Sequence, residues 1–119
     1  MRAAVVDLVI EQGTNFSETF EWLDNTGTVK DLSNYTVSIQ IRTKNGELIA
    51  SSTGMANISI DTTNLATGLI VVSMTAAQTK VLDFVQGSYD IEFTAPTTGV
   101  VTRLVEGLVN LSKEQTRID

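Results

Sequence analysis

The sequence predicts an all-β fold, an immunoglobulin-like β-sandwich of about eight strands with one short helix. Three observations lead there. Apolar and polar residues alternate with period two along most of the chain, as half-buried strands require. Turn residues interrupt that alternation at short, fairly even intervals. One segment alone switches to a helix-start pattern. A small β-barrel satisfies the same pattern and is the alternative.

The elements follow in order. Val6, Leu8 and Ile10 alternate with Asp7 and Glu11 until Gly13 breaks the run. Phe16, Phe20 and Trp22 alternate with Ser17, Thr19 and Glu21, and Asp24-Asn25-Thr26-Gly27 turns the chain. Tyr35, Val37, Ile39 and Ile41 form the cleanest alternation. Lys44-Asn45-Gly46-Glu47 then reads as a hairpin whose two central residues take positive φ, with a returning strand through Leu48 and Ala50. Ile58 and Ile60 mark a short strand, and residues 69–74 mark one that is apolar on both faces. Thr75-Ala76-Ala77-Gln78 fits a capping box, and Val81, Leu82 and Val85 would give the helix an apolar side. Tyr89, Ile91 and Phe93 form the next strand. Val101, Val105, Val109 and Leu111 form a long last one, reached through a loop holding Pro96, the only proline.

With 119 residues, 42% hydrophobic and 18% charged, residues 1–119 suit a single domain with its own core. A net charge of -6 argues against a nucleic-acid partner, which needs a basic stripe. No stretch approaches the roughly 20 apolar residues of a membrane span. The start of the chain does not resemble a secretion signal, since Asp7 interrupts the apolar run.

The chain holds neither Cys nor His. Thiolate nucleophiles, imidazole bases and the usual zinc ligands are therefore absent, and no cofactor or metal site is expected. Ser and Thr without an activating base read as strand and turn residues. Asp90 and Glu92, two apart on a strand, share a face. They read as a solvated sheet face rather than an acid–base pair. Arg103 falls on the same parity as Val101 and Val105, so it must find a carboxylate, such as Glu106 or an acid of a neighbouring strand, or reach the rim.

Several strands carry apolar residues on both faces. If Val101, Val105 and Val109 point inward, Leu104 and Leu108 point outward. Val5 and Val9 oppose Val6, Leu8 and Ile10, while Ile70, Val72 and Met74 oppose Leu69 and Val71. A sandwich needs one apolar face per strand. Val5, Val9, Ile70, Val72, Leu104 and Leu108 are thus candidate interface residues. Cover by the helix and the chain ends is the other reading of the same residues.

The chain also resembles a family of small virion proteins of tailed bacteriophages. The resemblance rests on Ile10-Glu11-Gln12-Gly13 with Phe16, on Asp31-Leu32-Ser33-Asn34-Tyr35-Thr36 leading into Ile39-Gln40-Ile41-Arg42, and on Gly87-Ser88-Tyr89-Asp90-Ile91-Glu92. Thr102-Arg103-Leu104-Val105-Glu106-Gly107 and the ending Leu111-Ser112-Lys113-Glu114-Gln115-Thr116-Arg117 complete it. The N-terminal half is similar to the head domain of baseplate upper proteins. Asn34 stands where the family pattern has Gly, and Asn tolerates the left-handed turn too.

The resemblance implies a sandwich-fold structural virion component, assembled in the host cytoplasm. Its partners would be other virion proteins, met in many symmetric copies at the tail, baseplate or neck. Capsid decoration is the alternative within virions. A carbohydrate-binding module is the alternative of another class, but Phe16, Phe20, Trp22, Tyr35, Tyr89 and Phe93 all fall on expected core faces. A hydrolase fits least.

Overall fold

The computed structural model describes residues 4–24 and 26–113. Its strands are β1 (Ala4–Val5), β2 (Leu8–Glu11), β3 (Phe16–Glu21), β4 (Thr36–Thr43), β5 (Leu48–Ser51), β6 (Ser59–Asp61), β7 (Leu69–Met74), β8 (Gln86–Thr94) and β9 (Val101–Ser112). One helix, α1 (Ala76–Lys80), links β7 to β8, and a single 3-10 turn (Leu65–Thr67) precedes β7.

The strands form two sheets. The larger runs β1-β9-β8-β4-β5, with β2 continuing the β1 edge along β9, and the smaller runs β3-β7-β6. All pairings are antiparallel except those of β1 and β2, which lie parallel to β9. This is the immunoglobulin-like arrangement. β3, β7 and β6 take the places of strands B, E and D, and β9, β8, β4 and β5 those of G, F, C and C′. Two separate sheets make the fold a sandwich and not a barrel.

Alternation decides which side chains meet inside. Ile39, Ile41, Tyr89, Ile91, Phe93, Val105 and Val109 of the larger sheet face Phe16, Phe20, Ile70, Val72 and Met74 of the smaller one, and all are buried. Each fully buried aliphatic side chain contributes about 2 kcal/mol of transfer free energy. Trp22 closes one end of this interior. Its ring meets Phe93 edge-on at 5.4 Å and Tyr35 at 6.3 Å, with the Lys30 ammonium 4.7 Å from its centre.

Two local expectations need correction. The hairpin after β4 carries positive φ at Gly46 but not at Asn45. Thr43 and Glu47 bracket a three-residue loop (Thr43 N to Glu47 O 2.9 Å), and a three-residue hairpin needs only one left-handed position. In α1 the capping box forms as expected, with Gln78 N donating to Thr75 Oγ1 and Thr75 N to Gln78 Oε1. The buried residues there are Thr79, Leu82 and Phe84, whereas Val81 and Val85 stand exposed. The helix is too short to carry an apolar stripe past Lys80. Asn34 does adopt the left-handed conformation, with φ 67°.

Candidate functional site

The six candidate interface residues separate into two groups. Val5, Val9 and Leu108 are exposed (73%, 59% and 43%), whereas Ile70, Val72 and Leu104 are buried. Ile70 and Val72 belong to the core because β7 is the middle strand of the smaller sheet. Ile70 pairs with Phe20 and Met74 with Phe16, so the even positions of β7 share the inward face of those aromatics. Leu69 and Val71 take the outer face and are half-buried.

Leu104 is buried for a different reason. Ile91 pairs with Val105, but Glu92 pairs with Arg103, which leaves Leu104 as an extra residue in β9. Such a bulge reverses the parity of everything before it. Leu104 and Val105 therefore both turn inward, while Val101, expected inside, is exposed. The same reversal sends Arg103 to the outer face. There Arg103 Nε lies 3.2 Å from Asp90, with its other nitrogens 3.7 Å from Glu92 and 3.5 Å from Glu106. The expected ion pair is present, and it holds Asp90 and Glu92 as a solvated, charge-compensated face.

Along one edge of that polar face runs an apolar line. Val5 pairs with Glu106 and Val9 with Asn110, and Leu108 projects between them. The connection between β1 and β2 is fixed from beneath. Val6 N donates to Glu106 O at 2.9 Å, Leu108 N donates to the Asp7 carboxylate at 3.0 Å, and the Tyr89 hydroxyl donates to Val6 O at 2.6 Å. Gly107 lies directly under Val6, and a Cβ there would come 2.1 Å from the Val6 carbonyl oxygen. The edge is thus held rigidly while its apolar side chains face solvent.

Two grooves flank the ionic cluster. One, of about 540 Å³, lies on the sheet face between Val5 and Leu108 on one side and Gln40 and Arg42 on the other. The second, of about 730 Å³, lies at the Trp22 end, between Trp22, Lys30 and Tyr35 and the start of β9 at Val101. Its aromatic rings offer no stacking platform, since Trp22 is buried beneath Lys30 and Tyr35 is half-buried. Val100, next to Val101, is a further exposed apolar residue that parity missed.

The perturbed acids are structural. Asp24, Asp31 and Asp61 are held below the usual carboxylate range by the hydroxyl and backbone N–H groups of Thr26, Ser33 and Thr63, which close tight turns. Asp83 is lowered by its hydrogen bond and ion pair with Lys113. The Tyr89 phenol is raised well above its ordinary value, first by burial and then by the charges of Asp7 and Glu18. Among the described residues no group of three or more acids is placed to hold a metal ion, and no helix is long and apolar enough to cross a membrane.

No protein-family model matches the chain, and no curated protein matches it. Among solved structures it is similar to the crystal structure of the Lin-41 filamin domain. The likeness covers 88% of this chain and 81% of that one at 11% identity, with a TM-score of 0.38. The immunoglobulin-like assignment rests on strand order and pairing within the chain itself.

Proposed function

We propose that this chain is a non-enzymatic structural component of a tailed-bacteriophage virion, docking onto neighbouring virion proteins at the tail, baseplate or neck. The observation that carries the docking reading is the exposed apolar line of Val5, Leu108 and Val9 on a rigid sheet edge. A lone domain gains nothing by holding three aliphatic side chains in water along one edge, whereas a neighbour that covers them gains their burial. The virion setting rests on the succession of resembling segments from Ile10 to Arg117, of which residues 114–117 lie outside the described residues.

The non-catalytic reading is supported by the residue inventory. Without Cys or His, the chain has carboxylates as its only acid–base groups near neutral pH, and its adjacent Asp90 and Glu92 are engaged by Arg103. In a particle with many symmetric copies, a small apolar contact per copy is multiplied by avidity.

The deciding experiment is mass spectrometry of separated heads and tails from phage particles that encode this chain. Recovery in the tail fraction is the expected result. Recovery in heads alone would assign it to capsid decoration, and absence from both would end the virion reading.

A further inference from the structure

β5 lies at one edge of the larger sheet, where Ala50 pairs with Ile41 of β4. Backbone groups on either side of Ala50 turn away from β4, and a single side chain takes both. Ser51 N donates to Asn57 Oδ1, and Asn57 Nδ2 donates to Ile49 O, each at 3.0 Å. A side-chain amide carries the same donor and acceptor as a peptide group. Asn57 thus occupies the outer edge of β5 as one residue of a further strand would.

The loop that brings it there is strained and fastened. Ala56 holds a φ of 52°, a left-handed conformation disfavoured for any residue with a Cβ. The buried hydroxyl of Ser51 donates to Thr53 O and accepts from Met55 N at 3.3 Å. Strain of this kind persists only where the surroundings impose it, and here it aims Asn57 at β5.

The other edges are blunted in other ways. β3 sets Glu18 opposite the buried Val72, so a carboxylate stands at the inward parity of Phe16 and Phe20. β6 is three residues long and ends on Asp61, and the β1–β2 edge is broken between Val5 and Leu8. Charge, brevity and kinks keep strand edges from recruiting other strands. β5 runs Leu48, Ile49, Ala50, Ser51 with no charge and no proline, and its one irregularity is the register shift facing Ile41 and Arg42.

We propose that Asn57 is a built-in guard that keeps β5 from pairing with β5 of a second copy of this chain. In a two-fold antiparallel pairing centred on Ala50, Ser51 N of each copy would donate to Ile49 O of the other. Those are the two groups that the Asn57 amide holds. A second copy is the fitting occupant, because the uncharged β5 meets itself without opposing like charges, whereas β3 would set its glutamates against each other. The guard leaves the Val5, Val9 and Leu108 line free for neighbours and does not depend on a virion setting.

The test compares the whole chain with Asn57→Ala by sedimentation and by hydrogen exchange at the Ser51 amide over a range of concentrations. In the parent, exchange at Ser51 is expected to be the same at every concentration. In the dilute variant it is expected to be roughly fivefold faster, the fold-change that one neutral hydrogen bond accounts for. On concentration it should slow again as a dimer forms. Exchange at Ser51 that does not change with concentration in the variant, whether fast or slow, overturns the proposal, since Asn57 then only fastens its loop. Protection of Ser51 that grows with concentration in the parent overturns it too, because the edge is then open with Asn57 in place. If Asn57→Ala lacks the folded circular dichroism spectrum, Asn57→Ser, whose hydroxyl is too short to meet both groups, is read by the same outcomes.

Discussion

The hydroxyl of Tyr89 donates to the carbonyl of Val6 across 2.6 Å, joining β8 to the kink between β1 and β2. The contact spans 83 residues of sequence and fastens the first edge of the larger sheet to its centre. Substituting Tyr89→Phe keeps the ring in the core but leaves the Val6 carbonyl without this donor. The expected loss is about 1–2 kcal/mol in urea unfolding. A variant as stable as the parent would mean that the hydroxyl only fills space.

The same phenol makes part of the stability depend on pH. Its folded-state pKa lies above that of the unfolded chain, chiefly through burial. The contribution is therefore fully present below the unfolded value of about 10 and is lost as pH rises toward the folded one. In urea titrations the stability gap between parent and Tyr89→Phe is expected to be constant up to about pH 9 and to shrink above about pH 10. A gap that stays constant at about pH 11 would contradict this assignment.

Gly107 is the second fastening of that edge. A Cβ there would meet the Val6 carbonyl oxygen at 2.1 Å and its carbon at 2.7 Å, and a backbone cannot swing aside as a side-chain tip does. Gly107→Ala is expected to cost about 3 kcal/mol and to lift β1 and β2 from β9. Hydrogen exchange would report it as faster exchange at the β2 amides, with the amides of β4 little changed.

Much of this fold was legible in the sequence, because a sandwich is written in period two. The inward sets Ile39 with Ile41 and Tyr89 with Ile91 and Phe93 fell to alternation alone, and so did the capping box at Thr75 and Gln78. What alternation could not give was absolute parity. In β7 both faces are apolar, so only its place between β3 and β6 decides that Ile70 and Val72 are core. In β9 one extra residue shifts the phase, and nothing around Leu104 in the sequence announces a bulge. Of the six candidate interface residues, three are therefore buried and three exposed. Val5, Val9 and Leu108 lie where the phase is unbroken from β2 through the second half of β9.

A buried hydroxyl holds α1 to the opposite loop. Thr79 Oγ1 accepts from Gly13 N at 3.0 Å and donates to Thr14 O at 2.7 Å, and the side chain has no solvent exposure. Thr79→Val preserves shape but leaves both backbone groups unpaired, at an expected cost of about 1–3 kcal/mol. Thr79→Ser keeps the hydroxyl and should lose less than Thr79→Val. If Ser proves the more damaging change, the methyl group and not the hydrogen bonds holds this junction.

Leu104 and Leu108 offer the sharpest test of the bulge and of the docking line together. Both are leucines of β9 at the same parity, and unbroken alternation would put them on one face. The structure places Leu104 in the core and leaves Leu108 43% exposed. Leu104→Asp puts a carboxylate on the apolar inner face of the sandwich, so it is expected to unfold the domain or cost about 4 kcal/mol or more. Leu108→Asp alone should leave the melting transition within about 0.5 kcal/mol of the parent, because its side chain already meets water. Combined with Val5→Asp and Val9→Asp, it should give a folded monomer that fails to enter virions. Equal destabilisation by the two single substitutions would remove the bulge, and normal incorporation of the triple variant would remove the docking line.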